Sequence, residues 1–503
     1  MQLDFSTPTH LLWALLPEIV LSAWAMLVLL VDVFQKGSRS EPSRPMIAWL
    51  TLAGLGLTAL ANAYLLRFTD AAADGLVAVD GFRIFINFVF LLAAALATLI
   101  STGYLDRNRI NRGEFFVLIL TATIGMMLMA AARELILIFL ALELMSVSIY
   151  VLVGFDRADP RSSEGAMKYF LLGAFSSAFF LYGIALVWGA TGSTHLSEIA
   201  QAVSGGAPLG AMLVAGMALT AVGFAFKVAA MPFHVWTPDA YDGAPTPVTA
   251  FMSTAVKAAA FAAFIRVFPV AFGSVYEAWD HVVWWLAAFT MFGANLVALT
   301  QGSVKRMLAY SSIAHAGYLL VALVAANGAG AAAFLFYLLV YTLTTVGAFG
   351  VVVANAKGDR ERVSLSDYAG LGWQQPLLGF ALSVFLLSLA GFPLTGGFIG
   401  KLYILRAALD AQDVLLAVLL VLASLISYFY YLRVVIVMYM RPAPSEDAHR
   451  GLRLSGPAQA AIAFAAVAVL VLFFFPAPVL DAAQRSVASL FPPAAESFFG
   501  LLR

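Results

Sequence analysis

The strongest constraint in this sequence is a succession of apolar runs, about 14 of them, each near the ~20 residues that cross ~30 Å of hydrocarbon. They fall at approximately 11–33, 46–66, 83–104, 114–132, 134–155, 165–190, 209–240, 246–270, 281–300, 303–324, 328–356, 374–408, 412–440 and 456–475. Backbone in lipid must satisfy its own polar groups, so a chain of such runs is an all-α polytopic membrane protein. The composition agrees, with 62% hydrophobic and 11% charged residues over 503 positions. No soluble domain is inserted between the runs. The first run follows MQLDFSTPTH, which has no positive n-region or small-residue cleavage site, and is expected to be a retained span.

Charge narrows the function classes. Lys plus Arg and Asp plus Glu are 28 each, which leaves no bulk charge for attracting nucleic acid or an acidic substrate. No nucleic-acid partner is expected; the lipid bilayer is. The chain has no Cys, which removes thiolate chemistry and cysteine-ligated zinc or iron–sulfur clusters. Alternate links hold roughly 16 Lys and Arg against 7, and the retention of positive residues on the cytoplasmic side places both termini outside. The richer set includes Lys36, Arg107, Arg161, Lys305, Arg306, Lys357 and Arg441.

Two runs are too long for one crossing and are interrupted. The seventh breaks at Met231-Pro232 and the twelfth at Gly391-Phe392-Pro393, with Gly396-Gly397 behind. Pro232 and Pro393 each remove a ladder hydrogen bond, so an unwound turn is expected inside the bilayer at both. Discontinuous helices at matching positions of two halves point to inverted repeats with a polar site at each break. The expected organisation is 1–112 as three N-terminal helices, 113–270 as repeat one (helices 4–8), 281–440 as repeat two (helices 9–13), and 441–503 as helix 14 and a tail.

Few ionisable residues remain deep inside spans: Glu143, Lys168, Lys227, Lys257, Lys401 and Arg433, with Glu18 and Asp32 nearer the ends of the first. Each costs about 2.5–3.5 kcal/mol at a helix centre unless partnered, hydrated or neutralised. Glu143 in ALELMSVSIY, Lys227 in FAFKVAAMPFHVW and Lys257 in FMSTAVKAAAFAAF lie at similar depth and suggest a row. The simplest neutralisation pairs Glu143 with Lys227 and leaves Lys257 unpaired or deprotonated. A buried amine beside a movable carboxylate switches between holding and releasing a proton; a static buried ion pair would use the same residues to fix helix register. Four lysines spread over both halves, with few acids to match, favour proton transfer. His315, with Ser311, Ser312 and Tyr318, is a possible relay between the halves. His234 belongs to a polar access turn rather than a metal site, since no clustered ligand set accompanies it. Lys168 and His234 are further possible relays; Lys168 alternatively snorkels toward the surface, as Arg433 is placed to do.

No phosphate-binding loop, dinucleotide fingerprint or paired haem-ligating histidines are present. The chain therefore moves a small cation without the redox or ATP machinery that drives it.

At this point the motifs become familiar. MPFHVWTPDAYDGAPTPVTAF (231–251) resembles the signature of the proton-conducting antiporter-like family shared by respiratory complex I and the multisubunit Na+/H+ antiporters. ALELMSVSIYVLVGF, RSSEGAMKYFLLGAFSSAFFLYGIAL, VKRMLAYSSIAHAGY and LAGFPLTGGFIGKLYIL are similar to the N-subunit family of bacterial NADH:quinone oxidoreductase. The resemblance implies 14 spans, two inverted five-helix repeats and a polar axis through the membrane arm. It implies that Glu143 is the essential glutamate of the fifth helix, Lys227 its partner on the seventh, Lys257 the bridging lysine and Lys401 the terminal one. Lys401 separates this chain from the M type, which usually has glutamate there. The roughly 28 residues after the last span are too few for the long lateral helix of the L type. The resemblance further implies M and K subunits as neighbours and a location in the bacterial inner membrane. It places NADH, FMN, iron–sulfur clusters and quinone in partner subunits, with no cofactor in this chain. A sodium–proton antiporter subunit and a purely structural spacer are the competing readings; sodium would favour oxygen ligands over four lysines.

Overall fold

The computed structural model describes residues 2–3, 8–34, 45–70, 75–205, 209–356, 361–445, 449, 452, 454–488 and 490. Its spans are α1 (Leu16–Phe34), α2 (Pro45–Tyr64), α3 (Gly81–Arg107), α4 (Gly113–Ala131), α5 (Leu135–Val153) and α6 (Pro160–Thr191). The seventh is α7a (Ala211–Val228) followed by α7b (Thr237–Gly243), and α8 covers Thr246–Ala271. Then come α9 (Asp280–Leu299), α10 (Val304–Ala325) and α11 (Gly328–Ala354). The twelfth is split into α12a (Pro376–Ala390) and α12b (Gly396–Asp410), before α13 (Val414–Met440) and α14 (Gly456–Phe474). Thirteen helices are long and apolar enough to cross a membrane. The divided α12 adds the fourteenth crossing, so the expected all-α architecture of about 14 spans with broken helices 7 and 12 is observed. Of the positive residues behind the orientation argument, Lys36, Arg39, Arg44, Lys357, Arg360, Arg450, Arg453 and Arg503 lie outside the described residues. So do 491–503 of the tail.

Each repeat contains five spans, an odd number, so a helix and its counterpart five spans later cross in opposite directions. Packing repeats as well: α4 lies along α5 and α9 along α10, while α6 packs on α7a and α11 on both halves of α12. Close crossings use small residues, as expected where lipid gives no hydrophobic drive between helices. A Cβ at Gly183 on α6 would stand 2.7 Å from the Thr220 amide of α7a, and one at Gly216 would stand 2.9 Å from the Val187 amide of α6. Those glycines let two backbones touch.

Burial is graded across the bundle. α8 is covered along almost its entire length, and α10 and α11 nearly so, whereas α1, α6 and α14 present wide apolar faces outward. The innermost helices therefore carry Lys257 and His315. Helix starts are fixed locally: Asp80 accepts from the Arg83 amide at 2.8 Å, Asn327 from Gly330 at 2.7 Å and Asp413 from Leu416 at 3.0 Å. Each side chain satisfies one of the amides a helix start leaves without a partner.

The N-terminal helices hold a separate ionic lock. Arg83 is fully buried and donates to both Glu18 oxygens, at 2.8 and 2.7 Å, and to the carbonyls of Ala78 and Ala14. Nearby, Arg266 of α8 makes a two-point contact with Asp80, at 2.8 and 3.0 Å. Arg83 and Arg266 fall at the ends of apolar runs, where a charge reads as part of a link, yet both are interior partners of a carboxylate.

Candidate functional site: a buried row of lysines

Lys227 occupies the last turn of α7a. The helix stops one residue later because Ala229 adopts φ 62°, and residues 230–236 form turns before α7b begins. The loose end is held by the Trp236 indole, which donates to the Phe226 carbonyl at 3.1 Å and stacks on Tyr169 at 4.1 Å. The Met231 amide crosses into the second repeat and donates to Thr290 Oγ1 at 2.9 Å. His234 sits in this turn, and its Nδ1 is buried without a hydrogen-bond partner. Among the described residues no group of three or more acidic or histidine side chains is arranged to hold a metal.

The anticipated Glu143–Lys227 ion pair is not formed. Among the described residues, the Lys227 ammonium donates to Ser146 Oγ at 2.8 Å and Tyr150 OH at 3.2 Å, and lies 5.2 Å from the Tyr150 ring centre. Glu143 accepts from the Ser177 hydroxyl of α6 at 2.5 Å and is half-buried. The physical reason is position on α5: Ser146 and Tyr150 lie one and two turns beyond Glu143, and the lysine reaches them first. Among the described residues no backbone carbonyl accepts from the Lys227 ammonium. Its company is hydroxyl and aromatic, a set able to face either an ammonium or a free amine.

Lys257 follows a π-helical turn, Met252–Val256, in α8. Its ammonium donates to the Ser312 carbonyl and hydroxyl, both at 2.6 Å, and Tyr341 OH donates to the same hydroxyl at 2.9 Å. One turn along α10, His315 lies between two phenols. Nδ1 meets Tyr337 OH at 2.5 Å, Nε2 meets Tyr431 OH at 3.1 Å, and Tyr431 is joined in turn to Ser311. A hydroxyl can donate or accept, so an imidazole between two of them is placed to take a proton at one nitrogen and give one from the other.

Lys401 lies in α12b, 7% exposed. It donates to the Ala390 carbonyl at the end of α12a at 2.9 Å and stands 4.6 Å above the Tyr318 ring. The two repeats thus use the same device: Lys227 over Tyr150 of α5, Lys401 over Tyr318 of α10. Between His315 and Lys401 stands the Tyr318 ring, T-shaped to the imidazole with ring centres 5.3 Å apart. A lysine partnered by the carbonyl at a helix break is found here, at the second break.

Lys168 does not snorkel freely. It pairs with Glu164 at 2.6 Å and with Asp239 of α7b at 2.7 Å, and Asp239 also receives Arg306 of α10 at 3.0 Å. Arg433 is half-buried and donates to the Leu299 carbonyl at the end of α9 at 3.3 Å. Sequence reasoning missed Tyr150, Ser146, Ser177, Tyr337 and Tyr341. The signal for the last two was available, since tyrosines four apart share one helix face.

A membrane protein of two inverted repeats, each with a broken helix, a buried lysine and a tyrosine beneath it, is a defined class. The chain belongs to the family described as NADH:quinone oxidoreductase/Mrp antiporter, TM, which matches residues 132–427. NADH-quinone oxidoreductase subunit N of Trichlorobacter lovleyi is 46% identical, covering 94% of this chain and 96% of its own length. Subunit N 1 of Sorangium cellulosum is 47% identical, covering 94% and 98%. A chain of respiratory complex I from Thermus thermophilus superposes with TM-score 0.76 at 37% identity, covering 93% of this chain and all of that one. A chain of the Mrp complex from Dietzia sp. shares the fold, with TM-score 0.81 at 21% identity over 97% and 99%.

Proposed function

We propose that Glu143, Lys227, Lys257, His315 and Lys401 form the proton-transfer row of this chain, with Lys227 as its switch and Lys401 as its far end. The protein itself acts as a proton-translocating membrane-arm subunit of NADH:quinone oxidoreductase, coupling quinone reduction elsewhere in the complex to proton movement here. The observation that carries this reading is the pair of equivalent lysine–tyrosine stations, with the Lys257–Ser312 and His315–Tyr337–Tyr431 contacts on the helices between them in the chain. It is supported by subunit N relatives over nearly the whole chain. A sodium–proton antiporter subunit lacks comparable support, since the Mrp likeness extends to fold alone.

In this reading, a shift of charge near Glu143 changes the field at Lys227, whose hydroxyl partners hold it in either protonation state. Lys257 receives or withholds the proton at Ser312, and His315 passes it between phenols toward Lys401. Lys168 pairs with Asp239 of α7b and His234 lies in the turn before that half-helix, so both remain possible relays at the edge of the row. NADH, FMN, iron–sulfur clusters and quinone belong to partner subunits; a chain without Cys has no thiolates for such clusters. The M and K subunits are its membrane neighbours, and the bacterial inner membrane its location with both termini outside, from the positive-residue bias. The test is Lys227→Ala and Glu143→Ala in the assembled complex, read as NADH-driven acidification of vesicles. Both are expected to impair coupled pumping; unchanged pumping in both would remove this axis.

A further inference from the structure

α6 and α7a are zipped together by close contacts. Gly183 meets Thr220 and Gly216 meets Val187 at backbone distance, and a Cβ at Gly223 would stand 2.5 Å from the Phe180 ring. Each contact steps three or four residues along one helix and back along the other, the register of an antiparallel pair. One further turn of that register brings Lys227 level with Ser176 and Ser177 of α6. Contacts this tight leave no room to slide, so the two helices carry Lys227 and Ser177 as one body.

Glu143 faces that body from α5. It is half-buried and accepts from the Ser177 hydroxyl of α6 at 2.5 Å, its hydrogen-bond partner among the described residues. Lys227 makes the opposite crossing, from α7a to Ser146 and Tyr150 of α5. The Tyr150 hydroxyl rests against α6 at Gly173, where a Cβ would stand 2.0 Å from it. Gly173 and Ser177 are one turn apart, about 6 Å along the helix. The acid and the amine are therefore drawn to neighbouring points of α6 by ties that run in opposite senses between the same helices.

Opposite charges at such separations attract strongly away from water, so an open arrangement lasts only while each has another partner. Lys227 has two hydroxyls and the Tyr150, Tyr169 and Phe226 rings, at 5.2, 5.5 and 5.7 Å from the ammonium. On the acid's side the hold is Ser177.

We propose that Ser177 is a positioning residue for the proton-transfer row, a latch that keeps Glu143 on α6 and away from Lys227. The inference rests on the proton-transfer reading above and adds the residue that sets how readily its first pair closes. Ser177 carries no proton in this scheme and acts through Glu143. Closing the pair requires its bond to Glu143 to break, as well as those from Lys227 to Ser146 and Tyr150.

The test uses the assembled complex in inverted vesicles, with complex abundance read on native gels and acidification measured per NADH oxidised. In Ser177→Ala the latch is lost and the pair closes; the pumping ratio of the assembled complex is expected to fall about threefold or more. Ser177→Thr keeps the hydroxyl and is expected to retain most of the wild-type ratio. A hydroxyl that only solvates a half-buried acid predicts the reverse pattern, less complex with each copy pumping at the wild-type ratio. That pattern, or a wild-type ratio in Ser177→Ala at any abundance, or a Thr variant no better than Ala, overturns the proposal. Where Ser177→Ala does not assemble, Ser177→Cys decides, because a thiol occupies the same place and donates only weakly. A lowered ratio is expected there; a wild-type ratio, or failure of this variant to assemble as well, overturns the latch. Lys227→Ala and Glu143→Ala run alongside separate the two readings. If they impair pumping while Ser177→Ala does not, the latch alone is wrong; if both pump as wild type, the row falls and the latch with it.

Discussion

The Lys401 ammonium reaches back across the break in α12 and donates to the carbonyl of Ala390, the last residue of the preceding half-helix. The same side chain thus fills an acceptor that an interrupted helix leaves open and stands over Tyr318. A change in what Lys401 holds is a change in how the two half-helices are joined.

Lys401→Met removes that join while keeping the bulk. Loss of one buried hydrogen bond of about 1 kcal/mol corresponds to several-fold faster opening. Amide exchange across 391–400 in the assembled complex should rise by that factor while 381–386 stays as in wild type. Uniform exchange over both segments would contradict the join.

At Tyr318, ring and hydroxyl have separable roles. Its hydroxyl accepts from Asn295 at 3.1 Å, and its ring faces both Lys401 and His315. Tyr318→Phe keeps the ring and should retain most pumping. Tyr318→Leu removes a partly desolvated cation–π contact of about 2 kcal/mol and should reduce NADH-driven acidification well below the Phe variant.

The Glu18–Arg83 pair is expected to govern assembly and not transport. Breaking it from one side leaves Arg83 charged and buried, at about 3–5 kcal/mol. Glu18→Gln should lower the amount of complex on native gels, yet the complex that assembles should pump at a wild-type ratio per NADH.

Asp80 gives a pH signature. Burial alone would raise its carboxyl, but Arg266 and the Arg83 amide outweigh it and hold it below the ordinary value of 3.8. The folded value therefore lies under the unfolded one. The pair's stabilisation is complete above pH 3.8 and is lost as pH falls through the lowered folded value. Thermal unfolding of wild type and Asp80→Asn should differ by a constant margin from neutral pH down to about the unfolded carboxylate value, converging only below it.

Gly397 tolerates no side chain. A Cβ there would lie 1.9 Å from the Ser388 carbonyl oxygen, a backbone atom with nowhere to retreat. Gly397→Ala should therefore fail to place α12b and should abolish assembly, whereas Gly456→Ala, with open space around it, should leave assembly and pumping unchanged.

Much of this architecture is legible in the sequence because the bilayer imposes a simple rule on helix length. The fourteen crossings and the two breaks could be read from run lengths and from Pro232 and Pro393. Partners could not. Periodicity says that Glu143 and Lys227 share a depth, but not that Ser146 and Tyr150 stand nearer to the amine. Glu361 gave no signal at all: it follows a charged link and looks solvated, and only the approach of Tyr104, Thr246 and Lys305 from three distant helices makes it interior. Arg83 and Arg266 are hidden for the same reason, since a charge at a span's end reads as surface whether or not the protein folds a carboxylate over it.

The start of α10 carries Lys305 and Arg306 side by side, and a helix start is the positive pole of its macrodipole, where cations are disfavoured. Neither is held by an acid of its own helix: Glu361 comes from the segment after α11 and Asp239 from α7b. Two outside carboxylates thus offset a charge conflict built into the helix that bears Ser311, Ser312, His315 and Tyr318. Losing either would unsettle the first turn of that helix, so the placement of Ser312 and His315 is decided partly at its rim, by carboxylates that two other segments supply.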